Sequence, residues 1–164
     1  MSRWLGIMLL ASIVAAGCGS DNKVTNDTPA AEAGPGAFQA DFRTSDTFFT
    51  MMSEMTPGDS PHGRVQIWYS SNVSDLLSES TFLVPVRTVA IKPFDMDEDG
   101  TEDGLAVMIK REPGYDADNN DWRYEMRDVS GNLMEEPVPG RNAMCISCHA
   151  AAADKDYLLG TEMR

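Results

Sequence analysis

The chain has 164 residues, with 13 Lys and Arg against 26 Asp and Glu, and a formal net charge of −13. That length suits one domain with a single core. The negative balance excludes a nucleic-acid partner, whose phosphates demand basic patches, and disfavours electrostatic docking on an anionic membrane. Its simplest use is solubility.

The first segment is a processing signal. Arg3 precedes an apolar run over residues 5–14, too short to span a bilayer, and Ala15-Ala16-Gly17 places small residues directly before Cys18. These flanks are secretory, and the triplet resembles a bacterial lipobox cut before Cys18, with Ala15 in place of the usual Leu. Residues 1–17 are thus expected to be a lipoprotein-type signal peptide and Cys18 the lipid-modified terminus. The alternative is a plain signal peptide cut nearby, with Cys18 incidental. Residues 18–43 are rich in Ser, Asn, Asp, Thr, Pro, Ala and Gly and lack a periodic apolar face, so they read as a flexible tether. Gly19-Ser20 after the cysteine resembles an outer-membrane address. The expected location is therefore the periplasmic side of a bacterial membrane or the cell surface, reached through the lipid alone.

The folded domain is expected over residues 44–164. Phe48, Met51, Met52 and Met55 recur at helical spacing, which predicts a helix over 44–55 ended by Pro57-Gly58. Val65, Ile67 and Tyr69 alternate in a strand over 64–69, and a short helix is expected over 73–77. A strand over 86–94 puts Val86, Thr88, Ala90, Lys92 and Phe94 on one face. Further strands are predicted over 105–110 and over 122–129, with Trp122, Tyr124 and Met126 on one face and a turn at Ser130-Gly131-Asn132. The fold class is α+β: an antiparallel β-sheet with packed helices.

The most informative residues follow. Cys145-Ile146-Ser147-Cys148-His149 is a Cys-x-x-Cys-His unit. Two thiols at that spacing can add across the two vinyl groups of haem, and the next residue is carried to the iron as its proximal ligand. One covalent haem c is the expected cofactor, held by Cys145 and Cys148, with His149 on the iron. A redox dithiol usually opens a helix after a strand in a βαβ unit, which this β-rich C-terminus does not suggest. A zinc site using both cysteines, His149 and His62 has poor spacing, because His62 lies far upstream in a Pro/Gly/Asp loop.

A C-terminal haem motif behind an antiparallel sheet resembles the cytochrome P-460 family and its relative cytochrome c-prime-beta. The resemblance runs from about Phe48 to Gly160. It is carried by Val65-Gln66-Ile67-Trp68-Tyr69, by Thr88-Val89-Ala90-Ile91-Lys92, by Val107-Met108-Ile109-Lys110 with Asp121-Trp122, and by the haem motif continuing to Asp156-Tyr157. It implies that Lys92 stands where the family's enzymes place a lysine bonded to the porphyrin. The simpler reading is that Lys92 ends its strand before Pro93 and reaches solvent. Ala106 occupies the place of a distal carboxylate in hydroxylamine-oxidising members, so a base for substrate protons is missing there. The implied site is an open iron position in an apolar pocket, with Phe82, Phe94, Met108 and Trp122 as candidate lining. It would bind or redox-process nitric oxide or hydroxylamine, and a redox protein is a candidate partner. The alternative is a six-coordinate electron-transfer cytochrome using His149 with a Met or His62.

Asp95-Met96-Asp97-Glu98-Asp99-Gly100 opens like a calcium loop, with oxygen ligands at positions one, three and five, glycine at six and Asp103 at nine. Position twelve is Ala106 where a bidentate Glu belongs, so Asp95, Asp97, Asp99 and Asp103 are at most half a calcium site, and a solvated acidic hairpin is the simpler reading. The acids over 115–121 are expected to be an ordinary loop.

Overall fold

A computed structural model describes residues 36–50, 55–57, 61–70, 83–140 and 142–159. They form a seven-stranded antiparallel sheet with one short α-helix among the described residues. The strands are β1 (Phe48–Thr50), β2 (Thr56–Pro57), β3 (Arg64–Val65), β4 (Trp68–Ser70), β5 (Val89–Asp95), β6 (Gly104–Lys110) and β7 (Trp122–Arg127), and the helix α1 is Ala143–His149. The expected signal segment, Cys18, most of the expected tether, the helix expected over 73–77 and Phe82 lie outside the described residues.

β5 is the axis of the sheet. β6 pairs along one side of it and carries β7 beyond. Its other side is shared: β4 meets Ala90 and Ile91, and β3 meets Phe94 and Asp95. The strand expected over 64–69 is therefore two short strands, broken at Gln66 and Ile67. Pro93 of β5 explains the position of the break. It has no N–H to donate to a neighbour, and its carbonyl accepts the Gln66 N–H at 3.2 Å across the gap. Val86 and Arg87 are in a turn, with Arg87 at φ 73°, so the strand starts at Val89 and not at 86.

Both faces of the sheet are covered, as period-two alternation on a central strand requires. One face holds Val89, Ile91, Leu105, Val107 and Ile109 with Phe42 and Phe48. The other holds Tyr69, Ala90, Met108 and Tyr124, which lie side by side on β4, β5, β6 and β7, together with Ile67, Val84, Trp122 and Leu158. Glu125, buried on the first face, is held by Arg123 at 2.7 Å and Arg127 at 2.6 Å.

The N-terminal part differs from expectation. No helix covers the described part of residues 44–55: turns at Asp41–Ser45 lead into β1, which pairs with β4. The Ser45 and Thr47 hydroxyls bond to each other, and the Thr47 N–H bonds to Ser45 Oγ, the local competition by which Ser and Thr displace helix. Phe48-Phe49-Thr50 then has the aromatic and β-branched content of a strand. Ala37 and Phe42 are buried, so the packed domain begins ahead of residue 44, within the segment expected to be tether. Burial of a side chain like that of Phe42 contributes about 1.5–3 kcal/mol toward the cost of ordering the segment that carries it. The α-helix found among the described residues, α1, is neither of the two expected, and the 3-10 turns Ala117–Asn119 and Ala150–Lys155 supplement it.

Candidate functional site

α1 carries Cys145, Cys148 and His149, and the fold brings it onto the face of the sheet that holds Tyr124. Asn142 ties the start of the helix to β7 by donating its Nδ2 to the Tyr124 carbonyl at 2.8 Å. Cys145 and Ile146 pack against the cluster of Ile67, Tyr69, Met108 and Trp122. The His149 ring lies 5.4 Å from the Tyr124 ring.

His149 is oriented from behind. Its Nδ1 is 2.7 Å from the Tyr157 carbonyl. A carbonyl can only accept, so Nδ1 carries the proton, and burial lowers the imidazole's pKa toward the neutral form. The remaining nitrogen, Nε2, keeps its lone pair, which is how a metal-binding histidine is set by its second hydrogen bond.

The Tyr157 carbonyl is itself placed by Asp156. Both residues have left-handed backbones, at φ 51° and 64°. The Asp156 carboxylate is buried and gathers Lys110 Nζ at 2.7 Å, the Val84 N–H at 2.8 Å, Trp122 Nε1 at 3.2 Å and Asn120 Nδ2. The Trp122 indole also donates to the Asp156 carbonyl at 2.9 Å. This hub pins the end of the chain to β6, β7 and the loop before β7, so the position of the His149 ring is inherited from the sheet.

Lys92 lies on the same face. It stands opposite Ala106, which in turn stands opposite Met126. Its ammonium is largely withdrawn from water, so desolvation lowers its pKa, while the Cys148 thiol acts in the opposite direction. Lys92 does not end its strand: β5 continues through Pro93 to Asp95. Desolvation favours the neutral amine, the nucleophilic form of a lysine.

Sequence spacing made His62 look remote, yet the fold returns it to this place. Its ring is 5.6 Å from that of Phe94, which shares the face of Lys92. Burial lowers its pKa to about 4, helped by the charges of Lys92 and, more weakly, His149. Tyr124 adds a feature no pattern foretold. Its hydroxyl is buried beside Cys145 and has no partner among the described residues.

These residues fit a covalent haem. Two free thiols, a neutral imidazole with one nitrogen fixed, and an orphaned hydroxyl form the donor set. They fit the competing readings less well. Burial raises the Cys145 pKa, whereas a redox dithiol needs a depressed one, and α1 does not follow a strand of a βαβ unit. Among the described residues, the one group of three or more metal-capable side chains that converge is Asp95, Asp97 and Asp99, so the cysteines and histidines do not form a zinc set.

Of the candidate pocket lining, Met108 and Trp122 belong to the cluster beneath α1, and Phe94 carries the His62 contact and covers Gly104. In the acidic hairpin, oxygens of Asp95, Asp97 and Asp99 lie within 4.8 Å of one another. Asp103 does not join them: its Oδ2 accepts the Met96 N–H at 2.7 Å. Asp95 is already committed to the N–H groups of Asp99 and Gly100 and lies 3.5 Å from the Arg64 guanidinium. The loop over 115–121 closes on Asp121, whose Oδ1 takes the N–H groups of Gly114 and Asp116. Among the described residues no helix is long and apolar enough to cross a membrane.

No protein-family model matches the chain, and no curated protein matches it.

Proposed function

We propose that this chain is an exported, lipid-anchored monohaem c-type cytochrome of the cytochrome P-460 type. Its iron would keep an open position for nitric oxide or hydroxylamine. The observation that carries the reading is the placement of α1: Cys145 packs on the sheet face that also holds Lys92 and Ala106, Cys148 stands exposed one turn on, and the oriented His149 lies against Tyr124. Cys145 and Cys148 would hold the porphyrin and His149 the iron. When bound, haem supplies a redox-active metal that takes small neutral or anionic ligands.

The chain's own residues divide the remaining work. Tyr157 and Asp156 fix the imidazole. Ala106 leaves room and offers no base, which favours nitric oxide binding over hydroxylamine oxidation. Lys92, desolvated and within electrostatic reach of Cys148, would bond the porphyrin edge. A redox protein is the macromolecular partner this reading calls for, and the acidic surface would suit a basic one.

A second reading, the six-coordinate electron carrier, is favoured by the return of His62 to the site. The optical spectrum of the purified full-length protein, with and without carbon monoxide or nitric oxide, separates them. An open site changes its spectrum at once on adding either gas, and a closed one does not. Haem that leaves the chain on a denaturing gel or in acid acetone refutes both readings.

A further inference from the structure

We propose that His62 faces the iron-bound ligand from the side opposite His149 and donates a hydrogen bond to it. This rests on the haem-binding reading above and adds a polar residue to a pocket that the row Lys92–Ala106–Met126 alone would leave with a single amine.

The placement of His62 is built by backbone. Gly63 bridges to Asp95 at the end of β5. It has φ +62°, and a Cβ there would lie 2.2 Å from the Asp95 carbonyl oxygen. Only glycine allows so close an approach. That approach lays the preceding residue, His62, against Phe94. Phe94 and Lys92 are two residues apart on β5 and so share a face. Lys92 is the common neighbour of the two imidazoles, since its charge acts on both. The two cannot both serve as the proximal ligand. His149 is tied to the thiol-bearing helix and fixed by Tyr157. His62 arrives on an independent segment, from the Phe94 end of the sheet.

A ring held against Phe94 by a constrained glycine is well placed to touch a small ligand. A neutral imidazole retains one N–H, and a single hydrogen bond of that kind contributes about 0.5–1.5 kcal/mol.

The test uses the reduced, full-length holoprotein with carbon monoxide as the probe. His62→Leu keeps an apolar contact with Phe94 and removes the donor, while His62→Gln keeps a donor. Lys92→Ala controls for the neighbouring amine. In wild type the C–O stretch is expected at lower wavenumber than in His62→Leu, with His62→Gln between them. The same difference should persist in the Lys92→Ala background. Carbon monoxide should dissociate roughly two- to tenfold faster from His62→Leu. An unchanged stretch and rate in His62→Leu overturn the assignment and leave the open-site reading intact. Carbon monoxide that binds only after His62 is replaced makes His62 an iron ligand, which also overturns it. A chain with no covalent haem removes the functional reading itself, and the proposal with it.

Discussion

Asp156 is where the site and the stability of the fold meet, and its replacement tests both. Asp156→Ala removes the carboxylate that accepts from Lys110, Val84, Asn120 and Trp122. The Lys110 and Asp156 side chains are only 9% and 2% exposed, so solvent cannot take over the abandoned ammonium. Breaking a buried pair by deleting one partner costs about 3–5 kcal/mol, because a charge is left without compensation. That is a large share of the roughly 5–15 kcal/mol by which a domain is stable. For a domain of this size it corresponds to a fall in Tm of roughly 10–20 °C. Asp156→Asn should cost less, since the amide keeps an acceptor oxygen and Asn tolerates the left-handed backbone at φ 51°. The decisive variant is Asp156→Ala/Lys110→Met, which removes the stranded charge. Followed by thermal circular dichroism, it should be more stable than Asp156→Ala alone. If the double variant instead loses the sum of the two single effects, the buried pair is not what holds the chain end, and the account of how His149 is positioned fails with it.

Further outcomes are expected. Cys145→Ser/Cys148→Ser should abolish haem staining on a denaturing gel, while either single change leaves one thioether and some covalent haem. Lys92→Ala should alter the haem absorption spectrum if the amine is bonded to the porphyrin, and an unchanged spectrum removes the cross-link while leaving the open site. The Asp95, Asp97, Asp99 and Asp103 hairpin should bind calcium weakly at best, since position twelve is Ala106, set within β6 opposite Lys92; isothermal titration giving tight binding that Asp97→Ala and Asp99→Ala abolish would contradict this. Mass spectrometry should find a lipid-modified Cys18 at the mature terminus, and an unmodified terminus elsewhere would rule out the anchor.

The sheet was legible where alternation met strong side chains. Trp122, Tyr124 and Met126 predict one face of β7, and Ala90, Lys92 and Phe94 one face of β5, because side-chain direction in a strand follows period two whatever the tertiary context. The stretch over residues 44–55 misleads because Phe48, Met51, Met52 and Met55 satisfy a helical period, yet the Ser45 and Thr47 hydroxyls and pairing to β4 decide the part that is described. Phe42 looked like the end of a tether because the residues before it are small, polar and without a periodic apolar face, yet Ala37, Phe38 and Phe42 dock its last part. The Cys-x-x-Cys-His unit was legible because it is a local spacing that needs no tertiary contact to be seen. His62 was not, because its nearness depends on a tertiary contact between Gly63 and Asp95 that no spacing rule contains. Asp156 was hidden for the same reason: its partners come from residues 84, 110, 120 and 122.

The division of labour between the two faces explains why polar groups survive in so small a core. The face of Val89, Ile91, Leu105, Val107 and Ile109 is aliphatic at the sheet's centre and closed by Phe42 and Phe48. It can supply most of the burial that stabilises the fold. The opposite face mixes Tyr69, Lys92, Lys110, Trp122, Tyr124 and Asp156 with its apolar residues. Lys110, Asp156 and Trp122 satisfy one another, so they are structural. Lys92 and the Tyr124 hydroxyl are different: one is a desolvated amine and the other an orphaned donor, both next to the cysteines. An unsatisfied buried hydroxyl costs about 1–3 kcal/mol, which a domain of modest stability does not retain without a use. Both groups lie toward α1, where the thioether-bound porphyrin would sit. A large apolar ring with polar edges is the kind of guest that would cover the first and give the second a partner.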